Sequence, residues 1–79
     1  MSDPTAFSAT IDARGHHCPV PTLKLQKEMR RAPSGAVVAL IADDPMAQID
    51  VPHFCNQNNY LLRSVETFGT GWRFEIVRP

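Results

Sequence analysis

The chain has 79 residues, with eight basic side chains balancing eight acidic ones, and only two cysteines. One small domain of this length buries only roughly 60% of its unfolded surface, so its stability is modest. A zero net charge argues against a bulk electrostatic hold on nucleic acid, two cysteines are too few for a disulfide scaffold, and no run approaches the ~18 apolar residues of a membrane span.

The opening "MSDPTAFSAT" has neither a basic region nor an apolar core. The expectation is a cytoplasmic protein of one domain, residues 1–79, with residues 1–6 a flexible tail. In a reducing compartment any special cysteine is reactive rather than structural. "AFSATIDA" alternates Phe7, Ala9 and Ile11 with Ser8, Thr10 and Asp12, the period of a half-buried strand ending near Arg14. From Pro19 to Ala32 the pattern is helical, with Thr22, Leu25, Met29 and Ala32 on one face, and "APSG" stops it. "AVVALIA", Ala36 to Ala42, is a continuous apolar run of strand length, as in a central strand. Asp44 before Pro45, or alternatively Asp50, caps a second, short helix. That helix carries Val51, Phe54, Cys55 and Asn58 at helical spacing, with Pro52 near its start. "YLLRSVET" and "WRFEIV" flank "FGTG", where Gly69 and Gly71 permit a tight reversal, and Trp72, Phe74 and Ile76 point to the core. The order βαβαββ predicts an α/β fold, a two-layer α/β sandwich in which two helices share one face of a four-stranded mixed sheet.

One cysteine stands where chemistry is expected. If Pro19 is the first helical residue, its fixed φ and missing N–H suit that position, and Cys18 becomes the cap. Free N–H groups and the positive end of the helix dipole then favour thiolate over thiol, lowering a pKa that starts near ~8.5. Arg14, His16 and His17 precede the thiol, Lys24 and Lys27 follow it, and Pro19 and Pro21 stiffen the turn that presents it. The plain alternative is a small apolar cap residue. With Leu25 at the centre of the buried face, Val20 and Leu23 project to the polar side among Lys24, Lys27 and Arg30. These residues form either a docking patch with a basic rim or ordinary scattered exposure.

Cys55 lies on an apolar stripe and reads as a core thiol, the other reading being a resolving partner for Cys18. His16, His17, Cys18, His53 and Cys55 are ligand types for zinc, but their spacing does not converge as tetrahedral sites do, so no metal is expected. Asp12 pairs with Arg14 or Lys27, or simply ends a strand. The charges of Lys24, Lys27, Arg30 and Arg31 read as a solvated face, and direct nucleic-acid binding is not expected.

The stretch "DARGHHCPVPTLKLQK" resembles the signature of the TusA/SirA-like sulfur-carrier family: Asp, Arg and Gly before Cys-Pro-x-Pro, then a helix rich in Leu and Lys. "IADDPMAQIDVPHFC" resembles the family's second block and "WRFEIV" its last strand, so the resemblance runs from Ile11 to Arg78. It implies a persulfide relay: a pyridoxal-phosphate cysteine desulfurase or another sulfur donor loads Cys18, which passes the sulfur to an acceptor protein. The acceptors it implies serve tRNA 2-thiouridine synthesis, molybdenum-cofactor maturation or sulfur oxidation. It implies a carrier rather than an independent multiple-turnover enzyme, with no cofactor of its own. The chain differs from many relatives at His16, where leucine is common, at Asn58–Tyr60, and at Ile49, where some carry arginine. Two other classes stand beside the carrier: a thiol redox module using Cys18 with Cys55, and an RNA- or protein-binding module in which Cys18 is incidental.

Overall fold

The computed structural model describes residues 8–17 and 20–79, so the tail at 1–6 and the inward position assigned to Phe7 lie outside the described residues. The elements are β1 (Ser8–Asp12), α1 (Val20–Arg31), β2 (Val37–Ala42), α2 (Ala47–Gln57), β3 (Leu61–Phe68) and β4 (Gly71–Val77). The strands lie in the order β1-β2-β4-β3, with β1 parallel to β2 and β4 antiparallel to both β2 and β3. This is the expected βαβαββ sandwich with a mixed sheet.

The continuous apolar run of β2 makes it central. Its Val38, Leu40 and Ala42 point to the helices and join Leu25, Met29, Val51, Phe74 and Ile76 in the core. On the opposite face Ala39 and Ile41 are also buried, although no helix among the described residues covers them. Their cross-strand partners are Glu75 and Arg73, which pair with each other while Arg63 and Ser64 also reach Glu75. The long stems of this network lie across the small apolar positions beneath. These partners, Arg73 first, hold the Glu75 carboxyl below its ordinary value.

Helix α1 buries Pro21, Leu25 and Met29 at a spacing of four, and a step of three then brings the stripe to Ala32 just past its end. Thr22 is half-buried, so the stripe starts one residue earlier than the sequence suggests. The last carbonyls of α1 are satisfied by a residue distant in sequence: the Arg78 guanidinium donates to the Met29 (3.0 Å), Arg30 (3.4 Å) and Ala32 oxygens. A cation at a helix C-terminus also complements its dipole.

Asp44 closes the turn that leads into α2, its carboxylate accepting the Met46 N–H at 3.0 Å and its carbonyl that of Ala47 at 2.9 Å, while the cap position itself falls on Met46, with no side-chain cap bond. The alternative at Asp50 is corrected, because Asp50 is already helical and its N–H donates to the Met46 carbonyl at 2.8 Å. The helix nucleates on the Asp44-Pro45 turn, which leaves Asp50 in the first turn, where a negative charge suits the dipole. Pro52 therefore lies inside the helix rather than near its start, and the Gln48 carbonyl loses its i+4 donor. The helix stops in a Schellman arrangement. Asn59 adopts φ +59°, Tyr60 N–H reaches the Cys55 carbonyl (2.9 Å), and the Tyr60 ring meets Phe54 at 5.7 Å.

The hairpin loop is Gly69–Thr70, closed by the Phe68–Gly71 pair, with positive φ at Gly69. Gly71 is thus the first residue of β4 and not part of the reversal. Arg63 forms a bulge in β3 between Leu62 and Ser64.

Candidate functional site

Because β1 and β2 are parallel and each is followed by a helix, the loops after both strands emerge at the same end of the sheet. β3 is antiparallel to β4 and so runs the same way as β2, which brings Phe68 to that end too. The residues around "RGHHCPVP" therefore share one end of the molecule with the Asp43–Met46 turn and the hairpin tip. Cys18 and Pro19 themselves lie outside the described residues.

The approach to Cys18 is braced from several sides. The Ala13 N–H donates to the Ile41 carbonyl at 2.8 Å, extending the β1–β2 ladder by one residue. The Asp12 carboxylate then accepts the Arg14 backbone N–H (3.1 Å) and both Nε (2.9 Å) and Nη2 (2.7 Å) of its guanidinium. Of the two pairings read for Asp12, the one with Arg14 forms. Arg14 also lies over the Phe68 ring, 5.8 Å from its centre. Gly15 donates its N–H to Asp43 Oδ1 at 3.0 Å, tying this loop to the end of β2. His16 and His17 follow, both exposed, with His17 Nδ1 3.7 Å from the Asp44 carboxylate, and α1 begins at Val20, whose N–H donates to the His17 carbonyl.

Three carboxylates lie at this end, and each has a partner. Asp12 is held by Arg14, Asp43 accepts Gly15 N–H, and Asp44 accepts Met46 N–H beside His17. The Arg14 hydrogen bonds hold the Asp12 carboxyl down at about 2. The first turn of α1 has no acidic side chain, so nothing on the helix itself offsets the positive end of its dipole.

The other expected site residues fall as follows. Pro21 is fully buried in the first turn of α1, so its ring seats the helix start on the core, a packing role the sequence pattern did not show. Leu23 is 56% exposed, Lys24, Lys27 and Arg30 are exposed, and Val20 is half-buried. Cys55 is 2% exposed on the core side of α2, and burial pushes its thiol up to about 11. It lies ~12 Å along the helix axis from Ala47, toward the end of the molecule away from Gly15 and Asp43. A shallow depression of about 440 Å³ at that far end is lined by Cys55, Asn59, Tyr60, Leu61 and Val77. Among the described residues no group of three His, Cys, Asp or Glu side chains is placed to hold a metal ion.

With this geometry in place, comparison with known proteins is decisive. The family model described as Sulfurtransferase TusA matches residues 9–78. The chain belongs to the TusA sulfurtransferase family. The fold agrees: a SirA-like protein from Desulfitobacterium hafniense, solved by crystallography, superposes with a TM-score of 0.78 at 23% identity, covering 87% of this chain and 95% of that one. Family members are sulfur carriers that work between sulfur donors and acceptors, and the match includes Asp12 through Lys27, the whole stretch singled out above. No helix among the described residues is long and apolar enough to cross a membrane.

Several residues at this end were missed. Asp43 and Phe68 grip the loop before Cys18, yet neither is distinctive by type or spacing. Met46 (48% exposed) and Ile49 (64%) add apolar surface at the start of α2, a role that no spacing in the sequence marks. Gly71 serves close approach rather than the turn itself: an added Cβ would overlap the Ala42 carbonyl oxygen and stand 2.8 Å from Asp43 Cα.

Proposed function

We propose that this protein accepts sulfane sulfur as a persulfide on Cys18 from a cysteine desulfurase or other donor and relays it to an acceptor protein. The match to the TusA family across residues 9–78, spanning Cys18-Pro19-Val20-Pro21, carries this reading. In the loading step the Cys18 thiolate attacks the terminal sulfur of the donor persulfide. A new S–S bond forms, the donor's S–S bond breaks, and the donor cysteine leaves as thiolate. The sulfur keeps its oxidation state, so no external oxidant or reductant enters. The helix-terminus field that favours a thiolate also favours the persulfide anion; Arg14, Lys24 and Lys27 supply positive charge on the flanking segments, and His16 and His17 complete the polar approach. Delivery repeats the exchange with Cys18 as the leaving group, which makes the protein a carrier and not an independent multiple-turnover enzyme. The acceptor belongs to tRNA 2-thiouridine synthesis, molybdenum-cofactor maturation or sulfur oxidation.

Val20 and Leu23, rimmed by Lys24, Lys27 and Arg30, form the docking patch in this reading, and the exposure of Leu23 supports it. Burial and the raised pKa of Cys55 favour the carrier over a module that cycles a Cys18–Cys55 disulfide, since such a thiol is neither accessible nor ionised at neutral pH. The test is intact mass after incubation with a desulfurase and L-cysteine. One added sulfur on the wild type that disappears in Cys18→Ser is expected; no addition, or addition that persists in Cys18→Ser, overturns the reading.

A further inference from the structure

The strongest unassigned feature is the cross-link between the two loops at the site end. Asp43 is the first residue after β2, and its Oδ1 takes the backbone N–H of Gly15, 28 positions earlier in the chain, at 3.0 Å. This differs from the other carboxylate contacts nearby. Asp12 braces Arg14 within its own loop, and Asp44 accepts Met46 N–H ahead of its own helix and meets the other loop only at the exposed His17 side chain, 3.7 Å away, whereas Asp43 binds the backbone of the segment that leads to Cys18. The scaffold beneath is rigid. Asp43 follows a fully buried residue, Ala42, and β4 approaches so closely that only a glycine fits at position 71 against the Ala42 and Asp43 backbones. The acceptor oxygen is therefore held by the sheet, while the donor belongs to an exposed loop at φ +83°.

We infer that Asp43 is a positioning residue for the sulfur-transfer step. Its carboxylate anchors the β1–α1 loop at Gly15 and so fixes how the chain is delivered through His16 and His17 into the start of α1. The inference rests on the carrier reading for what is transferred, but its geometry stands apart from that reading. A side-chain-to-backbone bond of this type contributes ~0.5–1.5 kcal/mol, which corresponds to about a two- to tenfold change in the population of the anchored loop. The groups facing this loop are Asp12, Arg14, His16 and His17 from its own segment and Asp43 and Asp44 from the β2–α2 turn. On the carrier reading, removing the Asp43 charge alone favours the Cys18 thiolate, whereas loosening the loop that leads into α1 disfavours it. The two roles are thus opposite in sign.

The experiment measures iodoacetamide alkylation of Cys18 against pH by peptide mass, in wild type, Asp43→Asn and Asp43→Ala, with thermal unfolding recorded for each. Asp43→Asn keeps an oxygen acceptor for Gly15 N–H, so its rate at neutral pH stays near wild type or rises. Asp43→Ala falls about three- to tenfold, its pH midpoint moves up, and the Gly15 amide loses protection from hydrogen exchange. An unchanged rate in Asp43→Ala, or an equal fall in Asp43→Asn, overturns the inference. If Asp43→Ala does not fold, Asp43→Glu carries the test, because it keeps the charge but displaces the carboxylate. A fall in its rate supports positioning, and a wild-type rate refutes it. Alkylation needs no sulfur donor, so failure of persulfide loading in the wild type would remove the carrier reading without touching this outcome.

Discussion

Gly71→Ala is expected to destabilise the protein sharply for a change of one methyl group. The φ of Gly71 lies in the range open to any residue, so backbone strain adds nothing and the whole effect is steric. The added Cβ overlaps the Ala42 carbonyl oxygen and would stand 2.8 Å from Asp43 Cα and 3.0 Å from the Ala42 carbonyl carbon. All three are backbone atoms, which cannot rotate away, so β4 or the end of β2 must shift. Overpacking of this kind costs roughly 1–3 kcal/mol, offset by about 0.4–1 kcal/mol from the smaller entropy of the unfolded chain when glycine is replaced. The net loss, about 1.3 kcal/mol at the middle of those ranges, lowers Tm by roughly 5–10 °C in a domain of this size. Thermal and urea unfolding followed by circular dichroism measure it, and backbone amide shifts should spread to Ala42, Asp43 and Gly15. Gly69→Ala is the control. An added Cβ there meets nothing within 4 Å, so its cost comes from φ +59° alone and its shifts stay at the hairpin tip. If Gly71→Ala stays within about 0.5 kcal/mol of wild type, the range of an ordinary surface change, the close-approach account is wrong.

Asn59→Gly relieves a left-handed residue at the end of α2 and should stabilise by about 0.5–1 kcal/mol, read as a higher urea midpoint; a lower midpoint would contradict the Schellman reading. Cys55 is protonated in the folded state up to about pH 11 but ionises near its ordinary value of 9.0 when unfolded. Its contribution is therefore complete below pH 9 and lost as pH rises toward 11, by up to about 3 kcal/mol. Cys55→Ala should flatten that part of the stability curve, and an equal slope in both proteins would refute it. Asp12 shows the reverse sign: its depressed pKa of about 2 means that the Arg14 pairing is intact above pH 4 and is lost as pH falls through 2. An NMR titration of the Asp12 carboxyl checks this, with Arg14→Ala returning it toward 3.8. Leu23→Asp should slow both sulfur loading and delivery while leaving the melting temperature near wild type, because the side chain is already exposed. Wild-type rates in both steps would remove the docking patch.

The legible part of the fold is the part encoded locally. Alternation in "SATID", the unbroken apolar run of β2, the four-residue spacing of Leu25 and Met29 and the "FGTG" reversal each express a geometry that neighbouring residues impose on themselves. Local signals misled where two elements competed for a boundary. Asp44 and Asp50 both have cap chemistry, and the turn at Pro45 decided between them by starting the helix first. Pro21 and Gly71 were read for conformation, yet both also answer to packing, one against the core and one against a neighbouring strand.

At the site the division is the same. The placement of a cysteine before Pro-Val-Pro at the start of a helical pattern, and the family it marks, were written in the chain itself, because a motif and a helix start are short-range properties. The brace from Asp43 to Gly15, the stacking of Arg14 on Phe68, and Arg78 closing the last carbonyls of α1 join residues between 28 and 54 positions apart. An aspartate, a phenylalanine or an arginine has no sequence signature for such a role. Only the ordering of β1, β2, β4 and β3 in one sheet, which gathers their ends, brings those groups within reach of each other.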